Sequence, residues 1–425
     1  MATTAPERFV TLDVIRGIAV MGIFSVNVVD FSTINAAYLN PAALGWPEPA
    51  SLFVWAANML LVDGKLRTLF SMLFGASMLL VIERAEAAGR SGWGAHWRRM
   101  AVLLGFGVAH AILVWRGDIL TLYAVTGLVA FTFREKPVST LIAWGVIFSL
   151  ANMALFGAIG ATLVYQDTAV HVPGASAQLV HDWNANLGSF YPTPDKVARD
   201  LAIYGGAWSG VVAHEASKWS QLISNTLLIL PDTLGLMLFG MAAYKSGFLT
   251  GAWEDRRYRR IAAWGIALGL AGYGALVAAD LYSHFYFPLV LTGFMTATAP
   301  FRIVMAFGYA AVLILFSRPG GAITKRIAAV GRAAFTNYLG TSIVCTAIFY
   351  GWGLGLYGKV TRAEAWLAVP LVWALMLLWS KPWLDRFAYG PFEWAWRSLA
   401  RGKLQPMRNL RHAELHPASM NTARD

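Results

Sequence analysis

Long apolar runs recur along this chain, and they restrict its fold more than any other feature. A helix that crosses bilayer hydrocarbon needs about 20 mostly apolar residues. The stretches that qualify are 9–29, 66–83, 99–115, 119–133, 138–165, 221–244, 261–281, 288–316, 333–351 and 366–383. Of 425 residues, 57% are hydrophobic and 13% charged, where a water-soluble domain carries about a quarter charged. The sequence therefore reads as an all-α polytopic integral membrane protein with about ten transmembrane helices. A shorter apolar piece, 52–62, stops at Asp63-Gly64 and is expected to lie on the surface or re-enter.

Placement of Lys and Arg sets the orientation. The loops 84–99, 134–137, 245–260 and 317–332 and the tail after 384 hold most of them, among them Arg84, Arg98, Arg99, Arg134, Lys245, Arg256, Arg318 and Arg332. The opposite loops hold Arg116, Lys196, Arg199, Lys218, Lys359 and Arg362. That asymmetry puts both termini in the cytosol. Arg8 precedes the first apolar run, but Asp13 and Arg16 lie inside it and no small-residue cleavage site follows, so it reads as a retained span rather than a signal peptide.

Four segments follow. Residues 1–165 carry helices one to five, 166–220 form an extracytoplasmic segment with surface helices, 221–385 carry helices six to ten, and 386–425 form a basic cytosolic tail. Arg397, Arg401, Lys403, Arg408 and Arg411 of that tail suit anionic lipid headgroups. A net charge of +11 does not imply nucleic acid, because the basic residues sit between apolar runs. No internal repeat is visible. The single cysteine, Cys345, excludes an internal disulfide and a thiolate metal cluster. No HExxH, GxxxxGK[ST] or GxSxG occurs, which removes zinc hydrolase, P-loop and serine hydrolase readings, and no metal is expected.

Ionisable residues inside apolar runs are expensive and therefore informative. Asp13 and Arg16 are three apart and can pair on one helical face, and Asn27 returns to nearly the same direction. Arg16 is either an inner-leaflet pair member or a fixed cation for an incoming phosphate or carboxylate. Asp63, Lys65 and Arg67 open the second span, expected at the outer face, ahead of Phe70-Ser71-Met72-Leu73-Phe74-Gly75.

His110 lies about 18 Å above Arg98 along its helix, hence in the outer half of the membrane. The turn Trp115-Arg116-Gly117 then brings Asp118 back beside it. A carboxylate next to an imidazole fixes its tautomer and lets it take and return a proton. Asp232 follows Pro231, where a helix can kink around a ligand. Asp280 and His284 lie four apart, and Arg302 follows Pro300 either after a half-helix or within one tilted helix. Arg332 precedes Asn337 and Tyr338 at the cytosolic end of the ninth span. Gly265 and Gly269 suit internal packing or a homodimer.

The ordered set Leu12-Asp13-Val14-Ile15-Arg16-Gly17-Ile18-Ala19, Lys65 with Gly75, His110 with Asp118, Leu238-Phe239-Gly240-Met241, Gly331 with Asn337, and Gly390-Pro391-Phe392-Glu393-Trp394 resembles the bacterial YeiB-like family, a domain of unknown function. That family looks like a distant relative of the transmembrane acyltransferases that include heparan-α-glucosaminide N-acetyltransferase. The resemblance implies residence in the bacterial inner membrane and transfer of an acyl group from cytosolic acyl-CoA, as co-substrate, to an extracytoplasmic hydroxyl or amine acceptor. In the heparan branch the essential histidine lies shortly before the segment matching Asp63, and 51–62 here contains none. His110 must then substitute from another helix.

On this reading His110 is the general base, Asp118 orients it, and Lys65 or Arg67 stabilises the oxyanion. Asp13, Arg16, Asn27, Arg332, Asn337 and Tyr338 line the acyl-CoA side, and Asp63, Arg116, Asp232, Asp280, His284 and Arg302 the substrate side. The competing readings are a transporter or flippase of a small amphipathic or acidic solute, with Arg16, His110 and Asp232 as substrate and proton sites, and an envelope scaffold whose polar residues only join helices.

Overall fold

A computed structural model describes residues 9–408; Arg8, Arg411 and both chain ends lie outside them. The described residues form helices and no strand, with only two isolated backbone bridges. In chain order the helices are α1 (Val10–Ser32), α2 (Ala36–Leu39), α3 (Pro49–Leu61), α4 (Lys65–Ala87), α5 (Gly92–Leu113), α6 (Leu120–Ala130), α7 (Val138–Val170), α8 (Ala177–Phe190), α9 (Pro194–Tyr204) and α10 (Trp208–Ser217). They continue with α11 (Trp219–Lys245), α12 (Asp255–Tyr282), α13 (Phe287–Thr292), α14 (Ala299–Ser317), α15 (Ala322–Arg332), α16 (Ala334–Phe349), α17 (Arg362–Trp366), α18 (Ala368–Arg386) and α19 (Pro391–Arg401).

By length and composition, 7 of these stretches are long and apolar enough to cross a membrane: α1, Pro49–Ala87, α7, α11, α12, α14 and Arg362–Arg386. Leu120–Phe133, Phe287–Ala297 and Ala334–Phe349 are shorter apolar helices. α5, with Arg98, Arg99, His96 and His110, is long but less apolar. The chain is thus an all-α polytopic membrane protein.

The helices refine the sequence boundaries in several places. The piece at 52–62 forms α3, joined to α4 through Gly64. α3 runs inward, from Trp55 against Phe285 beyond the end of α12 down to Met59, whose carbonyl accepts from Lys65. Pro49–Ala87 together make one stretch long and apolar enough to cross a membrane. Asp63, Lys65 and Arg67 lie level with the middle of α1, because Val62 and Leu66 pack where a side chain at Gly22 would be. The stretch 288–316 is also broken, by a π-helical turn at Gly293–Ala297 before α14. The cytosolic loop read at 317–332 contains α15, packed along α1 and α18. The tail does more than rest on lipid, because α19 docks on α5 and α16.

Small residues bring the long helices close. Gly265 of α12 abuts Gly308 and the Val304 carbonyl of α14, and Gly269 abuts Met305. The GxxxG-like pair is therefore used inside the chain. Glu393 of α19 caps α16, accepting from Phe335 N at 2.7 Å, Thr336 N at 3.1 Å and Thr336 Oγ1 at 2.5 Å. These are helix-end N–H groups that would otherwise be orphans.

Candidate functional site

The last turn of α5 delivers His110, and both Val114 N and Trp115 N bond back to its carbonyl, which closes the helix and turns the chain. Asp118 then serves two donors. Its Oδ2 accepts Thr121 N at 2.8 Å, capping α6, while Oδ1 lies 2.9 Å from His110 Nδ1. The close approach needs Gly107, one turn before His110, where a Cβ would meet Thr121 N at 2.5 Å and Asp118 Oδ2 at 3.0 Å. The two side chains are 2% and 0% exposed. A carboxylate can only accept, so the Nδ1 position carries the hydrogen that faces Asp118. Nε2 is buried and has no hydrogen-bond partner.

The Tyr338 ring sits 5.3 Å and the Trp115 ring 6.2 Å from the imidazole. Both also wall a narrow cavity between α1 and α16, with Asn27, Thr341 and Ser342, of about 10 Å³, room for roughly one water. Above it, Asp30 accepts Trp115 Nε1 at 3.0 Å and Arg116 Nη2 at 2.8 Å. Arg116 lies over the Tyr204 ring, Tyr204 donates to Glu215, and Trp208 Nε1 bonds Leu113 O at 2.8 Å. Helices α9 and α10 are thereby anchored over the His110 turn.

A second polar cluster lies where the interrupted helices meet. Gly64 takes φ +75°, a left-handed turn that suits glycine, between α3 and α4. Lys65 Nζ sits 2.8 Å from the Tyr273 ring centroid. Arg67 Nη2 pairs with Asp232 Oδ2 at 2.6 Å, and Arg302 pairs with Asp232 Oδ1. Tyr38 donates to Asp63 at 3.2 Å. Ser71 links this cluster to α6, donating to Arg67 O at 2.9 Å and lying 2.7 Å from Tyr123 Oη.

The structure thus joins His110 with Asp118, and Arg67 with Asp232 and Arg302. Hydrogen bonds do not connect Lys65 or Arg67 to His110. Arg16 pairs with Asp13 at 3.2 Å and bonds Ser77 at 2.7 Å, away from both clusters. Asn337 is engaged structurally, donating to Val330 O and Ser380 and accepting from Trp379. Arg302 is within the protein interior, not at the outer surface. Asp280 is fully buried with neither oxygen bonded, and His284, beyond the end of α12 with φ 52°, does not reach it. Arg332 ends α15. Sequence reasoning gave no site role to Asp30, Tyr38, Tyr123 or Tyr273; an acidic or phenolic group in or beside an apolar run, with arginines left unmatched, was the available signal.

A protein-family model described as a protein of unknown function (DUF418) matches residues 243–403. The chain is 32% identical over 406 residues to uncharacterized protein YeiB of Escherichia coli (strain K12), covering 92% of this chain and 96% of that one. It is 33% identical over 412 residues to uncharacterized protein YxaH of Bacillus subtilis (strain 168), covering 95% and 97%. An uncharacterized 39.9 kDa protein in the amylase 3′ region of Bacillus acidopullulyticus is 24% identical over 405 residues.

Proposed function

The chain belongs to the YeiB-like family, and from that premise we propose that it is an acyltransferase of the bacterial cytoplasmic membrane, moving an acyl group from cytosolic acyl-CoA to an extracytoplasmic hydroxyl or amine. The observation that carries this reading is the buried His110–Asp118 pair with an unengaged Nε2. As the acceptor oxygen or nitrogen attacks the thioester carbonyl, Nε2 takes its proton. Asp118 stabilises the imidazolium, the C–S bond breaks, and the proton passes to the departing CoA sulfur. Arg16, near the cytosolic end of α1, is the cation for a CoA phosphate. The cavity beside Asn27 and Tyr338 is too narrow for a thioester, so α1 and α16 must part to admit it. The outer segment, held to the His110 turn through Arg116 and Trp208, shapes the acceptor side.

The test is binding of acetyl-CoA and longer acyl-CoAs to purified wild type and Arg16→Ala, followed by transfer to an envelope fraction by wild type and His110→Ala. Saturable binding lost in the first variant and transfer lost in the second are expected. A folded His110→Ala protein with undiminished transfer overturns the assignment. One observation favours a transporter instead: α3–α4 and α13–α14 are interrupted inside the bundle, as in carriers whose sites lie at helix breaks. Solute uptake into proteoliposomes without any CoA dependence decides for that reading.

A further inference from the structure

We infer that the Arg67–Asp232–Arg302 triad is a binding site for an oxyanion, a carboxylate or a phosphate diester. The argument begins with charge. Two guanidinium groups share one carboxylate, and a guanidinium does not lose its proton in a protein. The neighbouring Asp63 and Lys65 offset one another. Among these five groups one positive charge is left over near the middle of the bundle, and Arg362 adds a further cation beside Asp63, where an unmatched ion is strongly disfavoured.

The donor inventory agrees. Arg67 Nη1, Arg302 Nε and Tyr273 Oη are all buried without a hydrogen-bond partner. Arg67 and Arg302 meet through Asp232, and a side chain at Gly64 would meet Tyr273 Oη at 2.7 Å and Arg302 Cδ at 3.3 Å. Asp232 and Arg302 side chains are each 2% exposed, whereas Arg67 is 25% exposed, so the triad has one accessible member. α4 and α14 both begin here, and the positive ends of their dipoles face the same region. Guanidinium forks match the planar oxygens of carboxylates and the oxygens of phosphates. The sign of the surplus excludes a cation. The anion comes either from a soluble solute or from a lipid headgroup.

The site does not depend on acyl transfer, and its test is separate. Acetate and dimethyl phosphate, as sodium salts, are titrated into purified full-length protein in detergent against equal sodium chloride, by calorimetry. Saturable binding of at least one probe is expected. Arg67→Gln, which lowers the surplus by one charge, weakens it at least tenfold, whereas Asp232→Asn, which raises the surplus by one, tightens it; His110→Ala binds as wild type. Absence of binding to folded wild type, or Arg67→Gln and Asp232→Asn moving affinity in the same direction, overturns the inference. Should Asp232→Asn fail to fold, Arg67→Lys carries the comparison: retention by Lys with loss by Gln supports the site, and retention by both refutes it. Weaker probe binding in phosphatidylglycerol nanodiscs than in phosphatidylcholine ones identifies a headgroup occupant, and equal binding a soluble one.

Discussion

Asp118→Asn isolates the carboxylate's effect on His110 with little disturbance of the surrounding packing. The amide keeps the shape of the carboxylate, and its oxygen still accepts Thr121 N, so α6 remains capped. Its NH2 then faces His110 Nδ1, which must give up its hydrogen and accept, and the proton moves to Nε2. The base is lost although the histidine stays in place. The same change in serine-hydrolase triads costs about ten-thousandfold, or ~5.4 kcal/mol of transition-state stabilisation. Stability changes by only about 1–2 kcal/mol, since one charge-assisted hydrogen bond becomes a neutral one. The direct assay needs no acceptor: ¹⁵N imidazole NMR of the purified protein shows an unprotonated Nε2 in wild type and an unprotonated Nδ1 in the variant. Identical tautomers in the two proteins, or acyl transfer by the variant within about tenfold of wild type, refute the reasoning.

Other consequences follow from the same contacts. Glu393→Ala strips the α16 N-terminus of three acceptor contacts and lowers stability by about 2–4 kcal/mol, read as a fall in thermal midpoint in detergent, with Glu393→Gln intermediate. Asp30→Ala leaves Arg116 buried without its carboxylate, a loss of about 3–5 kcal/mol, and loosens the α8–α10 segment, measured as faster proteolysis between α8 and α10. Gly107→Val pushes α6 from α5 and separates His110 from Asp118, so it abolishes the Nδ1–carboxylate signature in the same NMR experiment.

Legibility in the sequence tracked the range of each interaction. Apolar runs announce helices because hydrocarbon tolerates little else. Asp13 with Arg16, three apart on one helix, and His110 with Asp118, across one tight turn, were readable because local geometry fixes them. Asp232 could not be matched to its partners, which lie 165 and 70 residues away, and only the tertiary fold brings the three helices together. The break at Asp63-Gly64 was visible as a stop, but its depth was not, because depth depends on where α1 and α12 set Gly22 and Tyr273 beside it. Asp280 and His284 show the converse failure. Their spacing suits one helix face, yet α12 ends at Tyr282, between them.

The contact between Glu393 and α16 has a bearing on how the protein is made. α19 leaves the ribosome after every apolar helix, so until it emerges the start of α16 waits with bare N–H groups at the membrane border. Trp396 docks at the same moment, its Nε1 bonding Arg99 O at 2.9 Å with the Arg99 guanidinium over its ring, which ties a helix made early to one made last. Synthesis order therefore makes α19 the closing clasp of biogenesis.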